Sequence, residues 1–453
     1  MAHFLLTSTP LYGHVTPMVT IGRGLVERGH RVDLLTGRKY ADVVTAAGLR
    51  HLPLPAEVDY DDAHLEDWLP DRGRHHGIAA GRYDILGMFI RPLAGQHQAL
   101  QAALADEAYD AVVVESAFLG ALPLIAVPAT RRPPVVGVSV TPLALPSRDC
   151  APFGSGLEPH DTRHARFRNR IVQTVLDSGP LRPVQEALDA ALTSVGAPPA
   201  EGTYFHQGTR SDLTFHLAAP GIEYPRREMP ASVRLVGPLR LPPHTAPLPS
   251  WWPELDGSAT VVHVTQGTMA NADLSQLLVP TLRALAGEDL LVVAATGGRP
   301  VAQLESQLGG RLPANARVAP FLPYDQLLPR TAVMVTNGGF GGVQQALAHG
   351  VPLVVSGRTE DKPEVAARVS WSGTGINLRS DRPSPARIRR AVHRVLADPG
   401  YRRGAQRLQH EIAQLGDPVE TIADTLDRLA RAGHQDPDLP DGAPRATRGP
   451  RAR

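Results

Sequence analysis

Residues 12–17 read Tyr-Gly-His-Val-Thr-Pro. They place His14 directly after Gly13, at the carboxyl end of a short apolar run, His3 to Ser8. Thr16 is the expected N-cap of a following helix and Pro17 its first residue, so His14 falls just ahead of a helix N-terminus. The positive end of that dipole disfavours imidazolium and keeps the ring neutral, and a neutral imidazole takes a proton from an attacking hydroxyl. Glu115 follows a second apolar run, Ala111–Val114. A carboxylate there can hold the other nitrogen of His14, fix its tautomer and stabilise the imidazolium that forms, as in a triad. The competing reading is a structural histidine and a solvated strand-end acid. Convergence in space separates the two.

A denser signal lies at Thr336-Asn337-Gly338-Gly339-Phe340-Gly341-Gly342, after an apolar strand and before a helix, Val343 to His349, that Gly350 ends. Four glycines let a ligand approach the backbone closely, and a helix N-terminus offers free N–H groups to an anion; a diphosphate fits both. The alternative is a turn that serves only strand–helix packing. The next apolar run ends in Glu360, Asp361 and Lys362. Acidic groups at a strand end accept hydrogen bonds from sugar hydroxyls; otherwise the triplet is a solvated loop.

The elements that position these residues alternate between strand and helix. From His3 the order strand, helix (Met18, Ile21, Leu25 and Val26 at helical spacing, stopped by Gly29), strand (Arg31 to Leu35) makes a βαβ unit with parallel strands. Further strands are predicted at Ala111–Val114, Val135–Val140 and Leu213–Leu217. After residues 236–250, a proline-rich linker, the alternation restarts with strands at Thr260–Thr265, Leu290–Ala295, Arg317–Ala319, Ala332–Thr336 and Leu353–Ser356. Helices are expected over Ser384–Leu396 and Tyr401–Leu429. The fold class is therefore α/β, with two doubly wound, Rossmann-like halves facing across a cleft: a front domain, 1–235, and a rear domain, 251–432, that keeps the C-terminal helices. The Gly-, Pro-, Asp- and Arg-rich tail, 433–453, is expected to be disordered. Ligands in such sheets bind at the carboxyl ends of strands, which is where the chemistry-bearing stretches fall.

Composition narrows the classes. The 453 residues carry a formal net charge of +1, which gives no electrostatic basis for nucleic acid as a partner. Cys150 is the sole cysteine, so neither an internal disulfide nor a cysteine metal cluster is possible. The first ten residues lack a basic start and a long apolar stretch, so no signal peptide is read there. No apolar run reaches the ~18 residues of a membrane span, and a cytoplasmic location is expected.

At the motifs quoted above the sequence resembles family 1 glycosyltransferases of the GT-B fold, and bacterial enzymes acting on macrolides and other secondary metabolites in particular. The opening Gly-His-Val-Thr-Pro, with the later Glu-Arg-Gly-His-Arg-Val-Asp-Leu-Leu-Thr, is similar to the family's N-terminal signature. Residues 337–375 are similar to its nucleotide-sugar signature without a gap. The resemblance implies His14 as catalytic base with Glu115 in place of the usual aspartate. It implies a donor site at Gly13, Gln266, Gly267, Thr268, Asn337, Gly338, Gly339, Gly341, Gly342 and Glu360. Phe321 falls on an aromatic that stacks on the base, with Leu322 beside it. Gln345 falls where many members hold ribose with a glutamate, and Asp361 and Lys362 fall on an Asp-Gln pair that contacts the sugar. Asn337 replaces a phosphate-binding histidine; its amide donates hydrogen bonds but carries no charge.

The expected reaction is inverting transfer from a UDP- or dTDP-sugar to a hydroxyl of a small apolar acceptor, without a cofactor or metal, by a monomer or homodimer. Trp68, Met88, Phe89, Phe118 and Leu119, large and apolar near predicted loops, are the acceptor-site candidates; the alternative for each is the core. Two other readings are a non-catalytic glycosyltransferase-like auxiliary partner and a nucleotide-sugar epimerase on the same fold. A dinucleotide-dependent oxidoreductase fits less well, because the first loop lacks G-x-G-x-x-G.

Overall fold

The computed structural model describes residues 1–240, 247–268 and 271–435; the linker positions 241–246 and most of the tail, 436–453, lie outside the described residues. The front half holds a seven-stranded sheet: β1 (His3–Thr7), β2 (Arg31–Thr36), β3 (Arg50–Pro53), β4 (Ala111–Glu115), β5 (Val135–Ser139), β6 (Leu213–His216) and β7 (Val233–Leu235). The rear half holds six: β8 (Val261–Thr265), β9 (Leu291–Ala295), β10 (Ala316–Ala319), β11 (Thr331–Thr336), β12 (Leu353–Val355) and β13 (Gly375–Asn377). The orders are β3-β2-β1-β4-β5-β6-β7 and β10-β9-β8-β11-β12-β13, and all pairs are parallel. Each sheet reverses direction once, between β1 and β4 and between β8 and β11, and such a switch point is where an open sheet leaves a crevice for ligand. The strands β4, β5, β8 and β9 are buried at every position, which is why they read as largely apolar runs.

Three elements differ from expectation. The first helix, α1, spans Tyr12–Glu27 and starts four residues before Thr16. Its N-cap, Leu11, has no capping side chain; instead Asp62 Oδ2, from a loop fifty residues away, accepts the Tyr12 N–H at 2.8 Å. A local cap search cannot see a cap supplied from that distance. Pro17 therefore lies inside the helix. The long helix expected over 401–429 is two, Pro399–Leu415 and Pro418–Gln435, broken at Gly416, whose φ is +80°. The second of these was assigned to the rear domain and instead returns to the front one. Ile422, Ala423, Leu426 and Ala430 join the core formed by Phe4, Ile21 and Leu25. Gly24 makes that crossing possible, since a Cβ there would come within 2.2 Å of Val419 Cγ1. Strands β3, β7 and β13, three or four residues each, were too short to read.

Candidate active site

Both halves of the site sit at their sheet's switch point. In front, β1 leads into α1, whose first turn carries His14, and β4 ends on Glu115. His14 Nδ1 lies 3.0 Å from Glu115 Oε1, with the carboxylate fully buried and the imidazole 12% exposed. Glu115 is held in turn by the Ala117 N–H at 2.7 Å and the Ser116 hydroxyl at 3.3 Å. His14 faces burial, which lowers its pKa, and the Glu115 carboxylate, which raises it, helped by Asp361 and Asp62. The carboxylates win, and the ring is more basic than the ordinary 6.5. This corrects the expectation of a ring kept neutral by the helix dipole: at 3.0 Å a full charge outweighs the half charge of a helix end.

In the rear half β11 runs into the glycine turn. Gly338 adopts φ +91°, and a Cβ there would stand 2.8 Å from Val355 Cγ1, so no other residue fits without strain. The helix begins at Phe340, not Val343, with Gly339 as N-cap. Its first internal bond runs from the Val343 N–H to the Gly339 carbonyl at 3.1 Å, leaving the amides of Phe340, Gly341 and Gly342 without a helical partner. Gly339 and Gly341 have no atom within 4 Å of where a Cβ would be, so the cleft reaches their backbone. Asn337 is buried; its amide donates to the Gln266 carbonyl and its Oδ1 has no partner.

The two halves enclose one cleft of about 2230 Å³. A single-ligand pocket occupies ~300–1,000 Å³, so there is room for two substrates at once. Glu360 crosses it: its carboxylate pairs with Arg72 of the front half at 2.9 Å and with Lys362 on its own side. Burial opposes ionisation there, but the two cations overcome it and hold Glu360 at about 2. Glu360 also has φ +57°, an uncommon backbone for a side chain of its size. Asp361 is pushed up to about 6, by burial first and then by Glu360, against Lys362 and His14. Among the described residues no group of three or more His, Cys, Asp or Glu could hold a metal ion.

The other expected residues divide. Gly13, Gly267, Thr268, Phe321, Leu322, Gln345, Met88, Phe89 and Leu119 line the cleft. Phe89 stands 6.3 Å from the His14 ring, on a π-helical stretch, Ile85–Ile90, a rare form often found at functional sites. Phe321 is 56% exposed on the rim above Gly298, as a stacking platform requires. Gln345 lies on the wall but spends its amide on the Leu239 carbonyl at 2.8 Å. Gln266 also lines the cleft, but its side chain accepts the N–H groups of Leu277 and Leu278 and donates to the Asp273 carbonyl, so it organises the loop. Trp68 and Phe118 are corrections. Trp68 donates to the Gly87 carbonyl, stacks on Tyr60 and lies under Arg91, outside the cleft. Phe118 is 1% exposed in the core behind β4. Asp62 and Arg72 went unread because an isolated acid or arginine in a loop carries no periodic or motif signal.

Comparison with known proteins follows the same outline. The family described as erythromycin biosynthesis protein CIII-like, C-terminal domain, matches residues 282–429. The 4'-demethylrebeccamycin synthase of Lentzea aerocolonigenes is 42% identical over 424 residues, 93% of this chain and 98% of that protein. UDP-glycosyltransferase 2 of Phaeomoniella chlamydospora is 34% identical over 95% of this chain and 96% of its own. In three dimensions the glycosyltransferase VinC, solved in complex with dTDP, superposes with a TM-score of 0.66 at 22% identity, covering 95% of this chain and 100% of that one. Among the described residues no helix is long and apolar enough to cross a membrane.

Proposed function

Starting from a chain that belongs to the GT-B glycosyltransferases of secondary metabolism, we propose that it moves a sugar from a UDP- or dTDP-linked donor to a hydroxyl of a small apolar acceptor, with inversion. The observation that carries this reading is the pair His14–Glu115, 3.0 Å apart, opening onto the same cleft as the free amides of the glycine turn. With Nδ1 committed to Glu115, Nε2 is the nitrogen left to take the acceptor's proton. The freed oxygen attacks the anomeric carbon, the bond from that carbon to the diphosphate breaks, and the electron pair leaves on the diphosphate. The amides of Phe340, Gly341 and Gly342 meet that charge. Lys362, its ammonium paired with Glu360, lines the same cleft, and the reading invokes no metal. Phe321 stacks on the base, and Met88, Phe89 and Leu119 bound the acceptor end.

The test is His14→Ala. Transfer should fall by about 10²–10⁴-fold, while binding of UDP or dTDP, read by calorimetry, stays within a factor of two. Unchanged turnover removes His14 from the mechanism, and loss of nucleotide binding moves the site elsewhere.

A further inference from the structure

Part of the cleft wall is made by residues 153–158, a stretch with no regular secondary structure that belongs to the front half. Phe153 fastens its start to that half, 5.4 Å from the Phe205 ring. The rest is held from the other side. Glu364, 3% exposed, sits in the first turn of the rear-half helix Lys362–Trp371, and its Oε1 accepts the N–H groups of both Gly154 and Gly156 at 2.9 Å each. Two amides reach one oxygen because both glycines take left-handed backbone, φ +87° and +60°. Successive N–H groups turned inward in this way form an anion-binding hollow, here filled by a protein carboxylate. The other oxygen, Oε2, accepts Arg368 Nη1 at 2.9 Å, and Arg368 bonds Glu223 of the front half at 3.0 and 3.2 Å. Glu364 is therefore fixed before the loop reaches it. Three and four residues upstream the same segment presents Asp361 and Glu360 to the reacting end of the cleft.

We infer that Glu364 is a positioning residue for acceptor binding: the rear half, which holds the donor, also shapes the acceptor wall by gripping Gly154 and Gly156. This rests on the reading that the front end of the cleft takes the acceptor. It follows that an acceptor pocket of full affinity exists only while the two halves stand in the arrangement described here.

The experiment compares wild type with Glu364→Ala and Glu364→Gln, using the sugar donor and phenolic or macrolide acceptor that turn over best in a screen. Losing about one charge-assisted hydrogen bond's worth of loop order should raise the acceptor KM about tenfold in Glu364→Ala. The donor KM should stay within twofold, and amide exchange should quicken over 152–158 but not over the glycine turn. Glu364→Gln, which keeps an acceptor oxygen, should fall between. Gly156→Ala attacks the same contact from the loop side, since its Cβ would come within 3.2 Å of the Pro363 carbonyl, and serves if the Glu364 variants do not fold. An acceptor KM that is unchanged, or that rises in step with the donor KM, overturns the inference and leaves Glu364 a stability residue. A wild-type chain inert with every donor would sink the functional reading instead, and loop exchange in Glu364→Ala equal to wild type would still overturn this one.

Discussion

Replacing Glu115 with glutamine keeps the shape of the site and removes one charge, so it isolates what that charge does to His14. The carboxylate oxygen is 3.0 Å from Nδ1; the carboxylate is fully buried and the imidazole largely so. Two unit charges centred about 4 Å apart, at an effective dielectric near 20, interact by about 4 kcal/mol, an upper bound with an open cleft beside them. A base works when unprotonated, and Glu115 stabilises the protonated form. In wild type the acid limb of kcat/KM should therefore stand above pH 6.5, and in Glu115→Gln it should move to lower pH. The plateau should fall at the same time, by about 10²–10⁴-fold, because the tautomer is no longer fixed and the imidazolium formed in transfer loses its partner. The assay is nucleoside diphosphate release from pH 5 to 9 at subsaturating acceptor. Stability obeys the same sign. A histidine whose folded pKa exceeds its unfolded 6.5 stabilises the fold fully below 6.5 and loses that contribution as pH rises through the folded value. The Tm gap between wild type and Glu115→Gln should thus be wider at pH 5.5 than at pH 9. An acid limb that stays put or moves upward, with the plateau intact, refutes the coupling.

Asp62→Ala should lower Tm by removing the distant cap of α1, a loss of about 1 kcal/mol, and lower kcat about tenfold through a loosened His14, with UDP or dTDP binding unchanged in calorimetry. Asp361, pushed up from 3.8 to about 6, costs the fold stability, a cost that grows as pH rises through 3.8 and is complete above about 6. Asp361→Asn should accordingly raise Tm by about 2–4 °C at pH 7.5 and by far less at pH 4, while transfer falls; a lower Tm at pH 7.5 counts against the burial argument. Phe321→Ala removes an exposed ring worth about 1–3 kcal/mol as a base-stacking surface. It should weaken UDP or dTDP binding about tenfold in titration without moving Tm, since the residue is already 56% exposed.

How much of this was legible in the sequence depends on the range of the interaction that fixes each feature. The buried strands were visible because parallel strands covered on both faces must be largely apolar: β9 is so throughout, and β4, β5 and β8 depart from it only at Glu115, Ser139, His263 and Thr265. The glycine turn was visible because Gly338 answers a local backbone demand, a φ of +91°. Helix starts were misplaced twice for one reason: α1 is capped by Asp62 across fifty residues, and the helix after the turn begins at Phe340 with no capping side chain, so neither start carries a local mark. The final helix shows the same limit at the scale of domains. Its apolar positions, Ile422, Ala423, Leu426 and Ala430, state that a face is buried but not against what. The partner is recorded elsewhere, in Gly24, where a Cβ would strike Val419, and in Arg28, which pairs with Asp424 and Asp427.

The site's charges make the same point in a functional setting. Glu360, Asp361 and Lys362 are adjacent in sequence, yet they face different partners: Glu360 pairs with Arg72 across the cleft, while Asp361 stands in the field of His14. Three neighbouring charges in a chain read as a solvated loop, and in isolation they would be one. Burial between two domains makes each of them expensive unless it is paired or neutralised. One acid is consequently driven to about 2 and its neighbour to about 6. Two carboxylates set so far apart can serve unlike ends, one fixed as an ion that ties the halves together and one able to change protonation beside the base. Arg72→Ala separates these roles. Removing the cation across the cleft leaves Lys362 as the remaining partner, so the Glu360 pKa should rise from about 2 toward the ordinary carboxylate range. A fully charged Glu360 no longer shared with Arg72 should in turn push Asp361 higher, and the transfer rate should acquire a second ionisation above pH 6 that wild type lacks. A single unchanged acid limb in Arg72→Ala would mean that the cross-cleft pair does not govern Asp361.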